Sequence, residues 1–182
     1  MIASLAQTDG TFSLNGLPNA GRMDVVCRCV NAVFWLSDAI RKDSVFYVVM
    51  RGEPNPPVTL KFVGSELKRM SPDERNIASH IKNLLATKPG KIWQTDDMGL
   101  YAKHMDLEEL LEELEGEIIY LDKEGESREL KEDYIYVIGD NKGYTDLKDL
   151  ELLAKKGKKI SLGKTEYLSS QCITIINHKL DG

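Results

Sequence analysis

The sequence predicts an α/β protein with a largely parallel sheet and helices on both of its faces. Segments that suit strands and segments that suit helices alternate along the chain, as they do in folds built from strand–helix–strand units. Residues 134–138 form a short segment of β-branched or aromatic residues. Residues 158–162 form a second short segment, which is bounded by glycine. Both segments suit buried parallel strands. Because ligands bind beyond the carboxyl ends of such strands, we expect a cofactor near the turns 139–143 and 163–166.

Length and composition predict a cytoplasmic protein with one domain over residues 1–182. A chain of 182 residues is long enough to bury a sizeable core. The longest apolar run, Val45–Met50, is far too short to span a membrane, so no membrane partner is expected. The first ten residues lack the features of a signal peptide. The three cysteines do not form the framework of a secreted, disulfide-rich protein.

Charge is unevenly distributed along the chain. The net charge is −5, but residues 1–91 hold 12 basic and 8 acidic residues, a balance of +4, whereas residues 92–182 hold 12 and 21, a balance of −9. Such an asymmetry is consistent with a basic end that binds a polyanion such as RNA. Ordinary variation between solvated faces explains it equally well, so charge alone leaves both interpretations open.

The first half of the chain carries a long helical pattern between strands. Val26, Val30 and Val33 recur at helical spacing and predict the buried face of one helix. The predicted elements, in chain order, are an edge strand at Ile2–Ala6, a helix from Arg22 to Lys42, a central parallel strand at Ser44–Met50, a strand at Val58–Val63, and a helix that starts with Ser71 as its N-cap, Pro72 in the first turn and Glu74 in a capping box.

The second half carries an acidic helix and further strands. Asp106 precedes a predicted helix at Leu107–Glu115, in which the leucines form the core face. Its glutamates are more typical of a solvated face than of a metal site. Residues 123–133 are charged and predict turns. The other predicted elements are strands at Met98–Ala102, Glu117–Asp122, 134–138 and 158–162, a polar helix between the last two, and a helix at 166–180.

No pattern in the sequence predicts a metal site. Asp140–Glu151 begins and ends like a calcium loop, but its third, fifth and sixth positions lack the required ligands and glycine. The three histidines have no ligand-like spacing. Cys27 and Cys29 point to different faces of a helix, so we expect them to pack in the core. A catalytic role for Cys172 stays open, although no His/Asn pattern accompanies it.

Several segments between Phe12 and Asp181 occur in the order that one known family shows. They are Gly-Arg-Met-Asp-Val-Val-Cys-Arg-Cys-Val-Asn (21–31), Pro-Asn-Pro-Pro-Val-Thr-Leu (54–60), Gly-Ser-Glu-Leu (64–67), Ser-Pro-Asp-Glu-Arg-Asn (71–76), Ile-Gly-Asp (138–140), Ile-Ser-Leu (160–162) and Cys-Ile-Thr (172–174). In these segments the chain resembles the TrmY family, the archaeal tRNA pseudouridine N1-methyltransferases of the SPOUT superfamily. Two stretches depart from the family pattern, Met1–Thr11 and Gly163-Lys164, where the family commonly has Ser-Pro.

The resemblance implies a doubly wound SPOUT domain with a trefoil knot in about residues 117–182. It also implies S-adenosylmethionine as cofactor, a homodimer, and methylation of N1 of pseudouridine at tRNA position 54 in the T loop. Methylation of a pseudouridine in ribosomal RNA and a non-catalytic RNA-binding dimer are the alternatives. The predicted helix 166–180 has more apolar surface than one monomer buries easily. We therefore expect each active site to be shared between two chains.

Candidate site residues come from both the resemblance and the residue types. The resemblance places the cofactor against Leu121, Gly139, Gly143, Leu162, Gly163, Lys164, Thr165, Glu166, Tyr167 and Cys172. The residue types suggest Arg22, Arg28, Arg41 and Lys42 for contacts with RNA phosphates or bases, although solvated helix charges are the alternative. The catalytic candidates are Arg22, Asp24 and Asp140. Either carboxylate could accept the N1 proton, while Asp140 could instead only cap its turn.

Overall fold

Two β-sheets and the helices packed against them build the fold in a computed structural model that describes residues 1–96 and 98–182. The strands in these residues are β1 (Ile2–Ala3), β2 (Val45–Met50), β3 (Val58–Val63), β4 (Gln94–Thr95), β5 (Leu100–Lys103), β6 (Glu117–Glu126), β7 (Tyr134–Val137) and β8 (Gly157–Ile160). The helices are a 3-10 turn at Leu17–Asn19 and α1 (Met23–Phe34), α2 (Glu74–Leu85), α3 (Leu107–Glu113), α4 (Leu147–Lys156) and α5 (Ser169–Leu180).

The two sheets differ in strand direction. The second sheet, of order β7-β6-β8, is parallel, as predicted. The first sheet, of order β1-β2-β3-β5-β4, is antiparallel except for the β1–β2 pair, so the expectation of a largely parallel sheet is wrong there. Parallel neighbours need a crossover of about a dozen residues or more. The connection 51–57 is shorter than that, so β3 folds back beside β2.

β1 joins the two sheets and is not an edge strand, contrary to the prediction for Ile2–Ala6. On one side it pairs with β2, where the Val49 N–H donates to the Met1 carbonyl at 2.9 Å. On the other side the Ile2 N–H donates to the Ile138 carbonyl, just after β7, also at 2.9 Å. Both sides of β1 are therefore paired, and the chain's first residues fix the position of the second sheet.

α1 ends at Phe34, eight positions before the predicted end at Lys42. Trp35 has extended backbone angles, and it forms an isolated antiparallel bridge with Ile40. The apolar residues after Phe34 therefore belong to a bridged turn and do not extend the helical stripe. Within α1, Cys27 and Cys29 are both fully buried, as predicted for packing residues. Their burial raises the pKa of the Cys29 thiol to about 12, which keeps it protonated.

Capping accounts for the starts of α2 and α3. α2 begins at Glu74 and its cap is Asp73, whose carboxylate accepts from the Asn76 N–H at 2.9 Å. The predicted cap, Ser71, lies outside the helix. α3 has the cap predicted for it, because Asp106 and Glu109 form a capping box. β6 continues to Glu126 into a segment predicted as turns, because its end pairs with Ile160.

A network of charged residues ties β2 to the helices of the second half. The Arg51 guanidinium, directly after β2, donates to Asp106 at 2.7 Å and to Asp149 at 2.8 Å. The side chain of Asp149 is only 5% exposed and that of Arg51 is 18% exposed. Burial acts to lower the pKa of Arg51, but the two carboxylates outweigh it and raise that pKa. This network fixes the start of α3 and the first turns of α4 against the first sheet.

α5 packs against α1 and completes the core of the first half. Ile173 belongs to the same buried cluster as the apolar face of α1. The Asn177 side chain donates to the Ala32 carbonyl at 3.0 Å. α5 starts at Ser169, so Leu168 precedes it and is 61% exposed. Across the described residues, no helix combines the length and apolar character that crossing a membrane requires.

Candidate active site

The turn 139–143 closes tightly at the carboxyl end of β7. Asp140 and Gly143 form an antiparallel bridge, and the Gly143 N–H donates to the Asp140 carbonyl at 3.0 Å. A Cβ atom at Gly139 would lie 2.5 Å from the main chain of Gly143, so glycine is required by space. Gly143 has a φ of 72°, which glycine adopts without strain. The predicted cofactor residues Gly139 and Gly143 therefore form one compact turn.

The start of α5 and the segment before it lie against this turn. The Ser169 hydroxyl donates to the Gly139 carbonyl at 2.8 Å. Upstream, the Ser161 hydroxyl donates to the Gly163 carbonyl at 2.9 Å and accepts from the Gly163 N–H at 3.1 Å. Residues 163–168 are all exposed, including Tyr167 at 43%. An exposed, irregular segment with free apolar surface thus borders the 139–143 turn.

Leu121 and Cys172 complete the predicted cofactor set. Leu121 is partly buried and contacts two of the buried clusters, but it lies in the middle of β6 and does not end a strand as predicted, because β6 continues to Glu126. Cys172 lies in the first turn of α5, and its thiol donates to the Tyr167 carbonyl at 3.8 Å. Burial raises the pKa of the Cys172 thiol, so the thiol stays protonated and is a poor nucleophile. Its position favours a packing or lining role over a catalytic one.

Arg22, Asp24 and Arg28 form a charged triad at the start of α1. Arg22 donates to both carboxylate oxygens of Asp24, each at 2.9 Å, and Arg28 donates to the same carboxylate at 2.8 Å. The Asp24 side chain is 7% exposed. Burial acts to raise the pKa of Asp24, but the hydrogen bonds from the two arginines outweigh it and lower the pKa. Asp24 is therefore ionised at neutral pH and holds both guanidinium groups in place.

A cavity of about 360 Å³ opens beside this triad. Asp24 and Arg28 line it together with Leu14, Pro18 and Arg75. Arg22 and Arg28 are each about two-fifths exposed, so both can contact a ligand while they bind Asp24. Arg28 is the triad arginine that lines this cavity, which Arg75 and the acidic Glu74 also line, whereas Arg22 lies outside the lining on the same Asp24 carboxylate. An oriented guanidinium group at an open cavity suits phosphate or base recognition.

Asp140 connects the cofactor turn to the N-terminal residues. Its carboxylate accepts from the Ser4 N–H at 2.8 Å and from the Lys142 N–H at 2.8 Å. Asp140 therefore caps its own turn, the structural alternative considered above, and also binds the end of β1. The hydrogen bonds that Arg22 donates to Asp24 raise the pKa of Arg22, and the negative charge of Asp140 adds to that effect.

Comparison with known proteins identifies the family of the chain. The profile of the SAM-dependent RNA methyltransferase family matches residues 1–182. The chain belongs to this family. The match includes the first eleven residues, where the motifs alone agreed poorly. Across the described residues, no group of three or more His, Cys, Asp or Glu side chains is arranged to hold a metal ion.

Three relatives of this protein share the same name. A Methanococcus maripaludis protein (strain C7) is 43% identical over 98% of this chain and 95% of its own length, and it is named tRNA (pseudouridine(54)-N(1))-methyltransferase. Proteins of Methanocaldococcus jannaschii (43% identity; 96% and 91% covered) and Methanosarcina acetivorans (36%; 100% and 89%) have the same name.

A solved structure shows the same fold. The crystal structure of Archaeoglobus fulgidus Nep1 bound to S-adenosylhomocysteine superposes with a TM-score of 0.63, over 88% of this chain and 70% of that one. At 17% identity the likeness concerns the fold alone.

The structure does not bring Arg41 and Lys42 to the site on a helix, as the sequence suggested. Both lie in the bridged segment after α1. The Arg41 guanidinium binds the Asp181 carboxylate at 2.6 Å, and its side chain is 17% exposed. Its charge is therefore already paired. Lys42 is exposed, which leaves it as the better candidate of the two for contacts with RNA.

Sequence reasoning missed three residues that shape this family member's site. Ser4 and Ser169 bind the 139–143 turn from β1 and α5, and the Tyr144 hydroxyl donates to the Val137 carbonyl at 2.7 Å. The partners of Ser4 and Ser169 are distant in sequence, whereas Val137, the partner of Tyr144, is only seven positions away. A serine at the start of a helix is an ordinary capping signal, and it predicts no contact with a turn thirty positions earlier.

Proposed function

We propose that the protein methylates N1 of pseudouridine 54 in the T loop of tRNA and forms N1-methylpseudouridine. The observation that carries this proposal is the shared name of relatives that are 36–43% identical over nearly their full length. Pseudouridine is joined to ribose through carbon, so its N1 carries a proton that methylation replaces. The site must therefore bind a methyl donor, orient N1 and remove that proton.

The cofactor of this proposal is S-adenosylmethionine, bound against Leu121, the turn Gly139–Gly143, the segment 162–167 and Cys172. The residues present fit such a ligand. The exposed apolar surface of Tyr167 and Leu168 can cover one face of an adenine, and the exposed main chain of 163–166 can pair with its edge. When bound, S-adenosylmethionine supplies a methyl group that is already activated. The protein's own task is mainly alignment.

In this proposal Asp140 is a better candidate than Asp24 for the group that accepts the N1 proton. Asp24 accepts three hydrogen bonds from two arginines and is almost fully buried, so a substrate N–H has little access to it. Asp140 is half-buried, and each of its oxygens accepts only one main-chain N–H among the described residues. Each carboxylate oxygen can accept a further bond. Asp24 then serves to orient Arg22 and Arg28 toward the RNA.

The assembly belongs to the proposal as well. We assign one SPOUT domain to residues 1–182, a knot to about 117–182, a homodimer with shared active sites, and a cytoplasmic role. One local feature supports the knot. The end of β6 crosses the end of β8, where the Ser161 N–H donates to the Glu126 carbonyl at 2.9 Å and a Cβ atom at Gly125 would lie 2.3 Å from Ile160.

Methylation of defined RNAs tests the function. We would incubate the protein and S-adenosylmethionine with a tRNA that carries pseudouridine 54 and identify nucleosides by mass spectrometry. The matched control is the same tRNA with uridine 54, whose N1 is bonded to ribose and cannot accept a methyl group. N1-methylpseudouridine only in the first tRNA is the expected result. Methylation of a ribosomal RNA fragment instead of tRNA would favour the ribosomal alternative, and no methylation of either RNA would contradict the proposal.

A further inference from the structure

Tyr144 reaches from the cofactor turn back to the end of β7. Its hydroxyl donates to the Val137 carbonyl at 2.7 Å. Val137 pairs with Tyr120 in the last register position of the β6–β7 ladder. The hydroxyl therefore binds β7 at the point where its pairing with β6 stops, beside the residue that precedes Leu121 on β6.

The Tyr144 ring is fixed by packing. It contacts the Tyr120 ring edge-on, with centroids 6.2 Å apart, and it packs against the buried cluster that contains Val137 and Leu153. Aromatic pairs in this geometry stabilise each other beyond the effect of burial. The side chain of Tyr144 is thus held at both ends. Its ring packs in the core, and its hydroxyl is hydrogen-bonded at the end of β7.

Other contacts hold the rest of the segment 139–146. Ser169 binds the Gly139 carbonyl, Ser4 binds the Asp140 carboxylate, and the Thr145 hydroxyl donates to the Ser4 hydroxyl at 3.1 Å. These contacts attach the segment to α5 and β1. Among the side chains of this segment that the structure describes, the Tyr144 hydroxyl is the one that hydrogen-bonds to the end of β7.

We infer that Tyr144 is a positioning residue for the cofactor, which holds the turn 139–143 against the end of β7 and, through the Tyr120–Val137 pair, at a fixed distance from Leu121. This inference rests on the proposed function, because it takes these two main-chain segments as the walls between which S-adenosylmethionine binds. Loss of the hydroxyl removes this one attachment while Ser4 and Ser169 keep theirs. The fold then persists, and the turn becomes free to shift relative to β6.

The test compares Tyr144→Phe with Tyr136→Phe. Tyr136 is a matched control on β7, because its hydroxyl also binds main chain twice, accepting from the Lys131 N–H and donating to the Lys131 carbonyl, both at 2.9 Å. That contact does not involve the cofactor turn. By calorimetry, Tyr144→Phe should weaken S-adenosylmethionine binding by about tenfold, the effect of one well-placed hydrogen bond, whereas Tyr136→Phe should change it by less than about twofold. Tyr144→Phe should also raise KM for the cofactor and leave kcat at saturation nearly unchanged.

The outcomes separate this inference from the function on which it rests. If the wild-type protein binds no S-adenosylmethionine, the proposed function fails. If the wild type binds and Tyr144→Phe binds equally well, only the role of Tyr144 is wrong. A purely structural role would lower the melting temperature of both variants and leave both affinities unchanged. Should Tyr144→Phe fail to fold, hydrogen exchange of the wild type decides: the cofactor must protect amides in 139–146 and at Leu121, and protection confined to other segments overturns the inference.

Discussion

Replacing Gly139 by alanine tests how closely the cofactor turn is built. The turn has no room for a side chain, because an added Cβ atom would lie 2.5 Å from the carbonyl carbon and oxygen of Gly143. Ordinary contacts of a Cβ atom begin at 3.4 Å, so the Gly143 main chain must move by about 1 Å. The backbone angles of Gly139 are not restricted to glycine, since its φ is not in the positive region. The effect of Gly139→Ala therefore comes from the steric clash alone.

A displacement of about 1 Å is large for a binding turn. Misplacement by this distance lowers the efficiency of positioned groups by up to about 100-fold. We expect Gly139→Ala to weaken S-adenosylmethionine binding by between about 10-fold and 100-fold. The Ser4 and Ser169 contacts lie outside the Gly143 side of the turn, so the protein should still fold. The loss should appear in the affinity, with little change in the melting temperature.

Calorimetric titration with S-adenosylmethionine measures this effect, with thermal unfolding to show that the variant folds. Gly90→Ala is the matched control, because a Cβ atom at Gly90 has nothing within 4 Å and its φ is not positive. It should bind the cofactor like the wild type, and its stability should be unchanged or higher by up to about 1 kcal/mol. Wild-type affinity in Gly139→Ala would show that the turn does not position the cofactor, and the site assignment would have to be abandoned.

Three further results are expected. Asp24→Asn should lower the free energy of unfolding at neutral pH, and the difference from wild type, measured in urea, should disappear as the pH falls below about 4 through the depressed pKa of Asp24, because protonated Asp24 no longer pairs with the arginines. Arg51→Ala should cost about 3–5 kcal/mol by the same assay, because it leaves the buried Asp149 carboxylate without its cation; a loss below about 1 kcal/mol would contradict a tightly coupled network. If active sites are shared between chains, co-refolded Arg22→Ala and Gly139→Val should regain about a quarter of wild-type methyl transfer, because about half of the dimers are mixed and one of their two sites is intact. Mixed dimers without activity would show that each chain works alone or that a dimer needs both of its sites intact.

Local patterns predicted the elements that depend on local signals. The Asp106 cap and the leucine face of α3 follow from a capping box and a helical stripe, and both are present. The predicted end of α1 was wrong because the helical spacing of apolar residues continues through Leu36 and Ile40. In the structure these two residues belong to a bridged turn, and Leu36 is 47% exposed. The spacing of apolar residues shows where a helix could bury a face, but it does not show whether other parts of the chain pack against that face. Strand direction in the first sheet was missed for a similar reason, because it depends on the length of the connections.

The structure places Gly139 and Gly143 as the sequence suggested, but it does not place Arg41 as suggested; the roles of all three stay predictions. Gly139 and Gly143 were expected in one turn, and the structure places them there because the turn closes on itself. Arg41 was expected to be free for RNA, but it pairs with Asp181, 140 positions later in the chain. No local rule predicts such a partner. The same limitation applies to Asp24, whose burial between two arginines makes it a poor proton acceptor in the proposal.

The double pairing of β1 has a consequence for the order of events during synthesis. Residues 1–103 include every strand of the first sheet, so that sheet can form while the second is still being made. During that interval the Ile2 and Ser4 amides have no protein partner, because Ile138 and Asp140 do not yet exist. Closing a contact over more than 130 residues is slow compared with local folding. We therefore expect the 139–143 turn to be ordered late, by docking onto residues that are made more than 130 positions earlier, so that folding is complete only when the cofactor site is complete.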